Sequence, residues 1–103
     1  MQSKILNDLE VAAAAGPFDY DLHIRNFKDF AIQLIHGANA GVDVDLYFSN
    51  DGENFTIDPA ATRTLNTLAD SEIWDIYGNS TEYVRVSVPA GVTASLVFKL
   101  GVL

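Results

Sequence analysis

The stretch Val42-Asp43-Val44-Asp45-Leu46-Tyr47-Phe48-Ser49-Asn50-Asp51-Gly52-Glu53-Asn54-Phe55 decides how this chain is read. Val42, Val44, Leu46 and Phe48 alternate with Asp43, Asp45, Tyr47 and Ser49. A period of two belongs to a strand with one dry face and one wet face. Asn50-Asp51-Gly52 comes next. These residues tolerate positive φ, so the chain is expected to reverse there and pair residues 42–49 with 54–58. A sheet wet on one face is antiparallel, which points to a β-sandwich or barrel.

The same alternation recurs on both sides of this hairpin. Tyr20, Leu22 and Ile24 oppose Asp19, Asp21, His23 and Arg25; Phe30, Ile32 and Leu34 oppose Ala31, Gln33 and Ile35. Residues 37–41 are a turn, and Phe55 with Ile57 forms a short return strand before Asp58-Pro59. Between Ala60 and Ser71 the pattern weakens. Ile73, Trp74, Ile76 and Tyr77 resume an apolar segment; Val84, Val86 and Val88 alternate with Tyr83, Arg85 and Ser87; Leu96, Phe98, Leu100 and Val102 make a last strand. Residues 3–13 read two ways. Ser3 would cap a helix striped by Leu6, Leu9 and Ala13. Alternatively Ile5, Asn7, Leu9 and Val11 line one side of a strand or extended arm, the reading adopted here. Seven to nine short strands at such spacing predict an all-β antiparallel sandwich, jelly-roll-like, with an extended N-terminal arm. Residues 1–17 form that arm or a first strand, and 18–103 the sandwich.

At 103 residues the chain is one domain. The absence of cysteine rules out disulfides and thiolate metal sites. A net charge of −8 argues against nucleic-acid and anionic membrane partners. The first ten residues carry Asp8 and Glu10 where an export signal needs an apolar run, so no export is expected.

Candidate sites are few. Asp43 and Asp45 share a strand face near Asp51, Glu53 and Asp58, a set of oxygen donors without the spacing of a calcium loop. The two histidines, His23 and His36, lack a third ligand for zinc. No nucleophile elbow, metalloprotease helix, phosphate loop or dinucleotide fingerprint occurs. The expectation is therefore no enzyme, no catalytic residue, no bound metal and no cofactor. Asn54-Phe55-Thr56 and Asn79-Ser80-Thr81 match the N-glycosylation pattern, which without export is coincidence. Trp74 and Tyr77 are aromatics able to stack on a sugar or anchor an interface, unless Trp74 is a core residue.

Two segments resemble a known group. Ser49-Asn50-Asp51-Gly52-Glu53-Asn54-Phe55 resembles the S-N-D-G-x-N-[FW] hairpin of small β-sandwich proteins of tailed bacteriophages, and Glu82-Tyr83-Val84-Arg85-Val86-Ser87-Val88 resembles their Y-[IV]-R-V strand. With the run from Phe18 to Gly41, the resemblance covers residues 18–103. The same motifs are similar to discoidin-type jelly rolls, with Phe55 in place of their Trp and Glu82 in place of their first Arg. The phage resemblance implies a non-enzymatic virion structural protein, a capsid decoration (cement) or small tail subunit that bridges neighbours. It implies a location in the virion after synthesis in the host cytoplasm. Its partners would be other copies of itself, as a homotrimer, and a larger capsid or tail protein. Apolar ends left in water are a liability, so Ile5, Leu6, Leu9, Val11, Val102 and Leu103 are the expected subunit contacts. A carbohydrate-binding module using Trp74 or Tyr77 is the alternative, and it would need exposed aromatics on one plane.

Overall fold

The computed structural model describes residues 5–24, 27–37, 41–65 and 71–102. Among them are nine strands: β1 (Ile5–Ala15), β2 (Phe18–His23), β3 (Phe30–Ile35), β4 (Asp43–Ser49), β5 (Thr56–Ile57), β6 (Arg63–Thr64), β7 (Ser71–Ile76), β8 (Tyr83–Val88) and β9 (Thr93–Val102). One sheet has the order β1-β9-β3-β7; the other runs β2-β8-β4-β5, with β6 paired to β4. All of these pairings are antiparallel. The chain changes sheet at each step from β1 to β4 and again from β7 to β9.

The two sheets pack as a sandwich because alternate residues of each are apolar. Phe30, Ile32 and Leu34 of β3 interleave with Leu96, Phe98 and Leu100 of β9 from one side; Val84, Val86 and Val88 of β8 and Val44 and Leu46 of β4 close from the other. Tyr20 and Phe98 bridge the layers with ring centroids 5.7 Å apart, tilted by 33°. A one-residue slip of any of these strands would turn its apolar set to water, so the pattern fixes the register.

The hairpin forms where the alternation placed it. Tyr47 pairs with Ile57 and Phe48 with Thr56, and Gly52 sits at φ +76°. The return strand is shorter than the sequence suggests. Phe55 lies outside the ladder. The weak stretch after Ala60 begins in a 3-10 turn, Pro59–Ala61, capped by the Asp58 carboxylate on the Ala60 N–H, and continues into β6; residues 66–70 lie outside the described residues.

The N-terminal segment is neither a helix nor a projecting arm. Strand β1 pairs with β9 from Ile5↔Val102 to Ala15↔Thr93, with a bulge between Val11 and Ala14. Its alternation matches the two-fold repeat of a ladder, and its partner is the other end of the same chain. At the turn into β2 the backbone is closely applied to the β8–β9 connection. The Gly16 N–H donates to the Val92 carbonyl at 2.7 Å, and a Cβ on Gly16 would stand 1.9 Å from the Pro89 oxygen. Only glycine fits there.

Candidate functional site

The hairpin loop is organised from a buried serine outward. Ser49 ends β4 with 4% exposure. Its Oγ accepts from the N–H groups of Asp51 and Gly52 and donates to Asp51 Oδ1 at 2.9 Å. Asp51 in turn accepts from the N–H groups of Glu53 and Asn54 and from the Asn54 side-chain amide. Backbone donation from Asn54 and then Glu53 holds the Asp51 carboxyl well below the usual carboxylate range. The loop is thus a closed network that satisfies its own polar groups.

Next to it lies an open cleft of about 850 Å³. The hairpin forms one wall, and the end of β7 with the segment leading to β8 forms the other. Tyr77, 76% exposed, stands at this cleft with Ile57, Asn50, Asp58 and Asp75. Much of the far wall is structural. Asn79 donates from its amide to the carbonyls of Phe27 and Thr81, and its Oδ1 accepts from the Thr81 N–H and hydroxyl. The Gly78 N–H donates to Asp29. Asp58 is committed to its cap. Sequence reasoning did not find this cleft, because its two walls come from separate segments, the hairpin and the end of β7.

Trp74 does not belong to any ligand platform. It is 1% exposed, and its Nε1–H donates to the Ala61 carbonyl at 2.6 Å. The indole is core because it sits on the dry parity of β7, between Ile73 and Asp75, which face out. The aromatic plane expected of a sugar binder therefore loses one of its two members, and Tyr77 remains.

The expected subunit contacts separate. Leu9 and Val11 are half-buried and pack against the chain's own core. Ile5, Leu6 and Val102 are placed in the β1–β9 pair, but their side chains, like Leu103 as a whole, lie outside the described residues. The sequence expectation gives all six a foreign partner. Leu9 and Val11 instead find core contacts, because β1 and β9 lie side by side.

The outer face of the β2-β8-β4 layer closes on itself. Arg85 forms a two-pronged contact with Asp21, at 2.7 and 2.9 Å, and lies 3.8 Å above the Phe55 ring. Its hydrogen bond to Asp21 raises the guanidinium pKa still further. His23 stacks on Tyr83 at 4.5 Å and meets the Glu82 carboxylate at 3.1 Å. Asp43 and Asp45 accept from the hydroxyls of Thr64 and Thr62, so both candidate cation ligands are taken up by the β4–β6 pairing. His36 is buried, far in character from the exposed His23. Among the described residues no three metal-ligating groups come together, and no helix is long and apolar enough to cross a membrane.

The outer face of the β9-β3-β7 layer is different. Ile35 and Ile73 are 42% and 51% exposed, flanking Gln33, with Val97 half-exposed beside them. Sequence reasoning passed over both isoleucines. The signal was there: each occupies a wet-parity slot in a strand whose dry parity is already apolar.

No family model matches this sequence, and no curated protein matches it. Among solved structures, a chain from the disulfide-linked pili of Bacillus endospore appendages is similar, with 15% identity, a TM-score of 0.44, and coverage of 97% of this chain and 91% of that one. It is a distant neighbour, and the comparisons do not show the bacteriophage family.

Proposed function

We propose that this chain is a non-enzymatic structural subunit of a virion, a decoration or small tail component that works by binding neighbouring subunits. The observation that carries this reading is the outer face around Gln33, where Ile35 and Ile73 stand exposed with one cation, Lys99, and one anion, Asp75, in the adjoining row, in a chain of net charge −8. Exposed apolar surface rimmed by polar residues marks a protein contact. The strand order supports a jelly roll, an arrangement used by viral capsid and lectin domains. The resemblance of residues 49–55 and 82–88 to phage hairpin and strand motifs supplies the virion setting. The absence of a converging reactive set among the described residues fits a mechanical role. The test is an antibody raised to the purified chain and applied to gradient-purified particles from a virus-producing culture that carries the gene. The chain is expected to band with the particles. If it stays at the top of the gradient while the capsid protein bands below, the reading fails.

A second reading rests on Tyr77. Its exposed ring beside the cleft favours stacking on a saccharide, with Asn50 and Asp75 as hydrogen-bonding groups. Titration of the chain with a glycan panel would decide it, with binding that is lost in Tyr77→Ala as the supporting result.

A further inference from the structure

Three rows of residues cross the outer face of β9, β3 and β7 in register. Lys99, Ala31 and Asp75 form the first row, Val97, Gln33 and Ile73 the second, and Ser95, Ile35 and Ser71 the third. All nine are exposed or half-exposed. The rows are matched about β3. Serine stands across from serine, valine across from isoleucine, and a cation across from an anion. Gln33, on the central strand, reaches Ser71 at 3.4 Å, and neither Lys99 nor Asp75 has an ion pair with another described residue.

We infer that this face is the contact surface between two copies of the chain, packed sheet to sheet about a two-fold axis that runs along β3. Such a rotation exchanges the positions of β7 and β9 and preserves height along the strands. Lys99 of each copy then meets Asp75 of the other, Val97 meets Ile73, Ser95 meets Ser71, and Gln33 and Ile35 meet their own counterparts on the axis. A two-fold interface requires this kind of self-complementarity, and sheets packed face to face in aligned fashion cross at only about 30°. A shallow hollow of about 380 Å³ beside Val97, bounded by Glu10, Ala12, Ile35 and Ser95, lies where Ile73 of the second copy arrives.

Charge selects this face over the other. The β2-β8-β4 layer presents Asp19, Asp21, Asp43 and Asp45 against Arg85 as its cation. A second copy would be repelled there. On the β9-β3-β7 face the two charges of the matched rows cancel across the axis, and the exposed Glu10 of β1, across from Val97, lies outside the matched rows. The matched patch spans roughly 10 by 14 Å between outer strands and rows, well under the usual area of a tight interface. The dimer is therefore a weak, concentration-dependent one, suited to a lattice in which many such contacts add. This inference deepens the structural reading by naming a contact, but it is tested on the isolated chain, so either can fail without the other.

The experiment is sedimentation velocity on the full chain from micromolar to near-millimolar concentration. A monomer–dimer equilibrium is expected. Ile73→Asp should shift it to monomer, and Lys99→Asp or Asp75→Lys alone should each weaken it by ~10-fold, as like charges then face each other on both sides of the axis. A mixture of the Lys99→Asp and Asp75→Lys variants should restore association, because each chain then meets only opposite charge. Circular dichroism guards against unfolding, and all the substituted side chains are exposed. A chain that stays monomeric throughout, a trimer, or variants that fail to associate when mixed would each overturn the two-fold contact.

Discussion

The outer faces of the two sheets follow the same rule in sequence and opposite rules in use. On the β2-β8-β4 layer, aspartates, Arg85, His23 and Tyr83 occupy the wet positions, and nearly every one is spent on a neighbour in the same chain. On the β9-β3-β7 layer, Ile35, Ile73, Val97 and Gln33 occupy the equivalent positions, and among the described residues the side-chain bond across them is the long Gln33–Ser71 contact. A face that satisfies itself adds a little stability and repels a copy. A face left open adds nothing to the monomer and is available to others. Fold and association can therefore be broken separately.

The largest effect should come from the layer both faces share. Trp74→Ala removes a fully buried indole and leaves the Ala61 carbonyl without its donor. A loss of about 3–5 kcal/mol is expected, enough to threaten folding of a small domain. Chemical denaturation measures it, and a loss under about 1 kcal/mol would mean that the indole is not the centre of the core.

Gly52→Val should follow. Positive φ opposes a β-branched residue, and a Cβ would stand 3.1 Å from the Tyr83 ring, so about 2 kcal/mol is expected. The insult should spread to the closed face: NMR shifts of His23 should move with the loss of its stack on Tyr83. Unmoved His23 shifts would disconnect the hairpin from that face.

Arg85→Ala tests the closed face directly. The pair with Asp21 is partly exposed, and solvent screening holds its worth to ~1 kcal/mol including the contact with Phe55. Added salt should narrow the difference from wild type. If the variant matches wild type at low salt, the closed face contributes nothing to stability.

Acid titration sharpens the role of the hairpin loop. The Asp51 carboxyl is depressed in the folded state, so in acid the unfolded chain binds its proton first. The contribution of this group is complete above the ordinary carboxylate range near pH ~4. It is lost as the pH falls toward the folded value. Stability plotted against pH should be shallower below pH ~4 in Asp51→Asn than in wild type. Equal slopes would show that the loop network does not hold the charge.

The smallest effect on folding belongs to the open face. Ile73→Asp should change monomer stability by no more than ~0.5 kcal/mol, while abolishing association. A large loss of stability would mean that Ile73 packs within its own chain, and the contrast between the faces would collapse.

Much of this was legible from residues alone. The Val42–Phe48 alternation and the Asn50-Asp51-Gly52 turn place β4 and its reversal, because a strand's periodicity and a turn's φ requirements are local properties. Residues 5–15 were harder. Their composition permits a helix, and only the presence of β9 alongside decides for a strand. Phe55 reads as part of the return strand, but it lies outside the ladder with its ring against Arg85, thirty residues on. Trp74 could not be assigned at all until Ala61 appeared beside it as an acceptor.

The sequence by itself determined that the chain folds into antiparallel strands with one dry face, since alternate apolar residues share one face only in an extended strand. It also determined that the surface is acidic and free of thiols. Only the tertiary structure decided which polar residues are spent and which are left over. Asp43 and Asp45 look available in sequence but are bonded to Thr64 and Thr62. Ile35 and Ile73 look incidental in sequence but stand as diagonal neighbours on one face across β3 and β7. Parity along a strand is set by neighbours one and two residues away. The company a side chain keeps on its face is set by strands that arrive from elsewhere in the chain, and no local pattern encodes their order.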